Sequence, residues 1–143
     1  MKVILSVLLM FFSVQAMAEL PIVGTWYTPY VDLGGGAYTN ESLHQIAADG
    51  KMTSQYLFPK SSQKIVTSIQ SELTSNAMKF ITDLVQTNCG KDKILSLKDV
   101  ALAYSVDSDT LVFDITVNGQ LLTLHKASPQ QIQKFAAIPE GCN

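Results

Sequence analysis

Two dipeptides constrain this chain most. Asp49-Gly50 separates Ser42–Ala48 from Lys51–Phe58, and Asn118-Gly119 separates Leu111–Val117 from Gln120–Lys126. Each suits a two-residue type I′ turn, in which two successive residues take positive φ. At the second turn, Val117 is expected opposite Gln120, Ile115 opposite Leu122 and Phe113 opposite Leu124. Asp114 and Thr123 then share the other face, so apolar meets apolar and polar meets polar. At the first turn, Leu43 is expected opposite Tyr56, Ala47 opposite Met52 and His44 opposite Gln55.

A further strand precedes the second hairpin. With a loop at Asp107–Thr110, Val106 pairs with Leu111, Tyr104 with Phe113 and Leu102 with Ile115, giving a three-strand meander from Val100 to Lys126. Ser128 is the natural N-cap of a short helix from Pro129 to Ala137, with Ile132, Phe135 and Ala136 as its buried stripe. Residues 63–88 admit two readings. As strands, Ile65, Ile69 and Leu73 share a face, a turn falls at Ser75-Asn76, and Met78, Phe80 and Leu84 share a face of the next strand. As a helix, Ile65, Val66, Ile69, Leu73, Phe80, Ile81 and Leu84 form one stripe, with Gly90 as C-cap. The density of Ser and Thr, and a first turn without charge, favour strands. The expected class is mainly β: an antiparallel up-and-down β-barrel of about eight strands with a short C-terminal helix. The alternative is an α+β fold with a long helix over residues 62–88.

Met1-Lys2, the apolar run Val3–Val14 and Ala16-Met17-Ala18 follow the pattern of a cleavable secretory signal. The run is about 12 residues, short of the roughly 20 that a spanning helix needs. Residues 1–18 are read as a signal peptide and 19–143 as one domain, secreted or periplasmic, beginning at Glu19. The remaining chain of about 125 residues is the usual size of one domain. Two cysteines, Cys89 and Cys142, are expected to pair in an oxidising compartment. All ten basic residues are lysines, and no basic stripe is present, which argues against nucleic-acid binding. Membrane attachment after cleavage is not expected, for the same want of a basic patch.

No catalytic or metal-binding constellation can be assembled from spacing. His44, His125 and the two cysteines do not lie at ligand spacing, and the histidines are read as solvated outer-face residues. Asp107, Asp109 and Asp114 lack the other oxygen ligands of a calcium loop, and turn chemistry accounts for the first two. Gly34-Gly35-Gly36 lacks the Lys-Ser/Thr that follows a phosphate loop and reads as flexible. Asn40-Glu41-Ser42 is an N-glycosylation sequon, meaningful only in a eukaryotic source. No cofactor, no metal and no enzymatic activity are expected.

The start of the expected mature chain, Pro21-Ile-Val-Gly-Thr-Trp-Tyr, contains Gly24-Thr25-Trp26. This resembles the G-x-W motif that opens the first strand of lipocalins (calycins) and lipocalin-like bacterial proteins. The resemblance implies a barrel beginning near Ile22–Tyr30, with seven more strands, a C-terminal helix, and Cys89–Cys142 linking wall to tail. It casts Trp26 as a plug closing one barrel end. The family's arginine on that tryptophan has no counterpart, but Lys126 stands about where it would be and can supply a weaker cation–π contact. The family's second and third motifs are not recognisable.

The implied function is a binding module for a small apolar ligand. Tyr27, Tyr30, Tyr38 and Tyr56 are candidates for a cup mouth, and Tyr104 and Phe113 for the lining. The second expectation is an inhibitor or immunity-type protein that binds a partner enzyme through the loop Asp32–Tyr38.

Overall fold

The computed structural model describes residues 19–58, 63–115 and 120–141. The expected signal peptide, Asn118-Gly119 and Cys142 lie outside them. The fold is a closed eight-stranded antiparallel β-barrel with one short C-terminal helix. Its elements, in order, are β1 (Gly24–Thr28), β2 (Val31–Gly34), β3 (Ala37–Thr39), β4 (Ser42–Ile46), β5 (Lys51–Leu57), β6 (Lys64–Leu73), β7 (Ala77–Phe80), β8 (Leu84–Asn88), β9 (Lys91–Leu95), β10 (Ala101–Asp107), β11 (Thr110–Ile115), β12 (Gln120–Lys126) and α1 (Pro129–Ala137).

The wall runs β5-β4-β1-β12-β11-β10-β7-β6 and closes where β6 pairs with β5. Closure leaves no free edge around that ring. β7 and β8 both pair with β6, through Ser71↔Phe80 and Ser68↔Val85. Three steps along β6 therefore face five steps opposite, so the bulge around Ile81–Asp83 carries two extra residues. The bulge is stitched down: Gln70 N donates to Thr82 Oγ1 at 3.0 Å, and Asp83 Oδ1 accepts from the backbone N–H groups of Leu97 and Lys98. β8 and β9 continue as a hairpin turning on Cys89-Gly90, both at positive φ. This turn was not among those predicted.

Residues 63–88 are strands, and the turn falls at Ser75-Asn76 as expected. The helical stripe read from their periodicity arose because Thr67 and Ser71, both buried, occupy inward positions on either side of Ile69. Polar residues inside the barrel blur the alternation that marks a strand.

Both predicted hairpin registers are displaced. In the second, Ile115 pairs with Gln120, Phe113 with Leu122 and Leu111 with Leu124, two residues from the expected register. A two-residue slip keeps every side chain on its face, so the hydrophobic pattern could not distinguish the two. Tyr104↔Phe113 and Val106↔Leu111 pair as predicted. In the first hairpin the slip is one residue, with Ser42↔Tyr56, His44↔Ser54 and Ile46↔Met52. Asp49-Gly50 is not a two-residue turn. Ala48-Asp49-Gly50 forms a three-residue loop, Gly50 N donates to Ala47 O at 2.9 Å, and only Gly50 is left-handed, at φ +86°. A one-residue slip exchanges the faces of β4 relative to β5. His44, read as solvated, is therefore buried inside the barrel.

The turns at 47–51, 74–76 and 108–109 define a lower end; the β2–β3 hairpin and Cys89-Gly90 mark the upper end. Toward the lower end the interior is filled by Trp26, Ile46, Ile69, Met78, Phe80, Tyr104, Leu111, Phe113 and Leu124, with Ile22 packed in from the N-terminal turn. Helix α1 has its predicted limits, and Ser128 and Gln131 form a reciprocal capping box. Its predicted stripe is narrower than expected. Phe135 is fully buried, but Ile132 is 41% exposed and Ala136 is exposed. On the outer wall the Tyr27 and Phe135 rings meet edge to face, 6.4 Å between centroids. The tail then binds β6: Lys64 N donates to Pro139 O, and Gly141 N donates to Lys64 O.

Candidate functional site: the polar upper chamber

Above the apolar core the interior changes character. Thr28 on β1, Ser42 and His44 on β4, Ser54 on β5 and Thr67 on β6 all point inward and are buried. They do so because inward positions alternate along each strand, and β1, β4, β5 and β6 are neighbours in the wall.

His44 organises this layer. Its Nε2 lies 3.0 Å from Ser42 Oγ and its Nδ1 lies 2.7 Å from Ser54 Oγ. One nitrogen of a neutral imidazole donates and the other accepts, and a hydroxyl can complement either. The Tyr56 ring meets the imidazole edge-on, 5.5 Å between centroids. Burial pushes the imidazole pKa down to about 4, so His44 is neutral at pH 7. Burial also raises the Tyr56 phenol, partly offset by its hydrogen bonds with Ser54 and Thr67.

Ser42 beside His44 has the spacing of a hydroxyl nucleophile and its base. The second nitrogen of His44, however, faces the Ser54 hydroxyl rather than a carboxylate, and a base of pKa about 4 is poorly matched to proton abstraction near neutrality. The arrangement fits a fixed neutral polar wall better than an activated nucleophile.

That wall borders a cavity of about 160 Å³, lined by Thr28, Thr39, Asn40, Ser42, His44, Tyr56 and Leu122. The Thr39 hydroxyl is engaged in the β2–β3 hairpin, donating to Pro29 O and accepting from Val31 N. Two lining atoms are buried without a hydrogen-bond partner among the described residues: Thr28 Oγ1 and Asn40 Oδ1. Buried polar atoms are rarely left so. A second depression, about 270 Å³, lies at the β7–β8 bulge beside Lys51, Gln70 and Asp83. Its polar groups are largely committed; Gln70 Nε2, for instance, donates to Asp49 O at 2.7 Å.

The candidate residues named from sequence are dispersed. Tyr56 lines the chamber. Tyr27 is on the outer wall, its hydroxyl donating to Glu41 Oε1 at 3.0 Å; burial and then that carboxylate push its pKa up to about 12. Tyr30 is exposed on the approach to β2. Tyr38 lies in β3, its side chain outside the described residues. Tyr104 and Phe113 are buried in the core, ring against ring at 6.4 Å, and the Tyr104 hydroxyl donates to Thr74 O. Trp26 sits in the core with its indole N–H on Ile22 O at 2.8 Å, and Lys126 is its cross-strand partner on β12. His125 is exposed as expected.

The reading from sequence does not name Thr28, Asn40, Ser42 or His44 as ligand-binding residues; it treats His44 as solvated and Asn40-Glu41-Ser42 as a glycosylation sequon. The alternation Ser42-x-His44 next to Ser54 was visible, but its meaning depended on a register that the turn residues misstate by one.

Among the described residues no helix is long and apolar enough to cross a membrane, and no three His, Cys, Asp or Glu side chains gather as for a metal ion. Neither family models, nor curated proteins, nor solved structures give a significant match to this chain.

Proposed function

We propose that this chain is a binding module that holds a small molecule in the upper chamber of its barrel. The observation that carries the reading is the division of the interior. The lower part is packed solid, while the upper part keeps a cavity of about 160 Å³ with a polar lining. Binding sites commonly take this form, a concave pocket with a few placed polar groups on a rigid scaffold. The eight-strand meander barrel and Gly24-Thr25-Trp26 support a lipocalin-like reading. The small apolar ligand implied by that resemblance gives way here to one with polar groups, since the lining is largely polar.

The module acts without catalysis, outside the cytoplasm, after cleavage at Ala18. N-terminal sequencing of exported protein should find Glu19 first; an intact Met1 in the exported form contradicts that. For binding itself, the test is calorimetry and ligand-observed NMR on the mature chain with single-ring probes, repeated on Leu122→Trp, which fills the chamber. Binding to wild type that is lost in Leu122→Trp is the expected result.

One observation favours a second reading, recognition of a partner protein. The β2–β3 hairpin stands off the barrel as its own two-stranded sheet, with Tyr30 46% and Val31 43% exposed at its base. Gly34, Gly35 and Gly36 all have positive φ, and Asp32 Oδ1 accepts from Gly34 N, so the tip has a defined shape. Deleting residues 33–37 abolishes partner capture on this reading and leaves small-molecule binding intact on the first.

A further inference from the structure

We infer that the chamber selects a neutral molecule about the size of one aromatic ring that carries an O–H or N–H hydrogen-bond donor, such as a phenol. The inference rests on the chamber being a binding site and goes on to name the chemistry it takes.

Size comes first. A cavity of about 150 Å³ accommodates a benzene-sized molecule, and the chamber measures about 160 Å³. The apolar side of the lining, the Tyr56 ring and Leu122, provides faces against which a ring packs.

Polarity follows from which polar atoms are still uncommitted. Both nitrogens of His44 are taken by Ser42 and Ser54, and the Thr39 hydroxyl is used in the hairpin. Two buried lining atoms have no partner among the described residues, Thr28 Oγ1 and Asn40 Oδ1. Thr28 is 6% exposed, so its hydroxyl has little access to bulk water. An amide oxygen only accepts, so a complementary ligand must present a hydrogen to Asn40. A hydroxyl both donates and accepts, so Thr28 can donate to a ligand oxygen. A phenol O–H satisfies both: it donates to Asn40 Oδ1 and accepts from Thr28 Oγ1.

Charge is excluded by the same lining. Among the described residues, no Lys, Asp or Glu borders the chamber. Glu41, adjacent in sequence, is turned outward to Lys134 at 2.6 Å and to the Tyr27 hydroxyl. His44 stays uncharged at neutral pH. Among the described residues a carboxylate would find no cation there and a protonated amine no counter-ion, and burying either unpaired is costly.

The experiment uses the mature chain at pH 7 with four probes of similar size, phenol, toluene, benzoate and benzylamine, measured by calorimetry and ligand-observed NMR. Phenol should bind at least tenfold tighter than each of the others. Thr28→Val keeps the shape and removes the hydroxyl; it should weaken phenol about tenfold and leave toluene unchanged or tighter. Asn40→Leu should act in the same direction. Toluene equal to phenol in wild type, or phenol indifferent to both substitutions while Leu122→Trp still abolishes binding, overturns the donor assignment and leaves the chamber as a binding site. Benzoate or benzylamine binding tightest overturns the neutrality assignment. No probe binding, or binding that survives Leu122→Trp, overturns the chamber reading itself.

Discussion

Gly50 faces Ser71 across the β5–β6 seam, one position beyond the Lys51↔Gln70 pair. Ser71 N and Ser71 Oγ both donate to Gly50 O, at 2.9 and 2.6 Å, and a β-carbon placed on Gly50 would overlap the Ser71 carbonyl oxygen. At φ +86° the position is also left-handed. Gly50→Ala therefore meets two penalties, about 1–2 kcal/mol for the backbone and about 1–3 kcal/mol for displaced packing. Urea denaturation should show a loss of about 2–5 kcal/mol. Asp49→Ala, at the neighbouring exposed position, should lose under about 1 kcal/mol. Equal effects would mean that the Gly50–Ser71 contact does not set the hairpin.

His44 gives stability a pH dependence with a definite sign. Its folded pKa, about 4, is below the ordinary value of 6.5. The unfolded chain therefore takes up a proton at a pH where the folded chain does not. The contribution is full above pH 6.5 and is lost as pH falls from 6.5 toward 4. Its size is about 3 kcal/mol. Carboxylates titrate at the lower end of this window in any protein, so the measurement is a difference. Stability against pH for wild type should fall more steeply between 6.5 and 5 than for His44→Gln, and parallel curves would count against a buried neutral His44.

Thr28 and Phe113 should respond in opposite ways. The Thr28 hydroxyl is buried without a partner among the described residues, so Thr28→Val removes an unsatisfied group and should be neutral or stabilising in thermal denaturation. Phe113 is buried in the core against Tyr104, so Phe113→Ala should cost about 3–5 kcal/mol. A large loss in Thr28→Val would show that the hydroxyl is satisfied in the folded protein.

A Cys89–Cys142 bridge is expected to close the upper end. Gly141 N donates to Lys64 O, and Val66 pairs with Thr87, so the tail is held against β6 close to where β8 ends. Non-reducing intact mass should be about two daltons below the dithiol value, and reduction should cost about 2–4 kcal/mol. Alkylation of two thiols in native protein would reject the bridge.

Much of the architecture was legible in the sequence. The Val100–Lys126 meander, the turn at Ser75-Asn76 and the Ser128 cap rest on local chemistry, in which turn residues, caps and alternation agree. The chamber was hidden because it rests on register. Asp49-Gly50 has the composition of a two-residue turn, but the close packing of Gly50 on Ser71, 21 residues away in sequence, selects a three-residue loop. That long-range contact decides that His44 faces Ser54 inside the barrel. Thr67 and Ser71 were ambiguous for the same reason, since a polar side chain facing inward is explained only by what it meets there.

The seam between β1 and β12, where Trp26 pairs with Lys126 and Tyr27 with His125, joins segments about a hundred residues apart, the kind of non-local pairing that slows folding. A chain emerging from its N-terminus can pair β1 with β4 and add strands in turn, but it cannot make this seam until β12 has been synthesised. Until then one edge of β1 stays open, and the Trp26 ring has no β12 to pack beside. For the exported protein proposed above, passage as an extended chain would suit such a topology, because the barrel cannot close before its last strand has crossed.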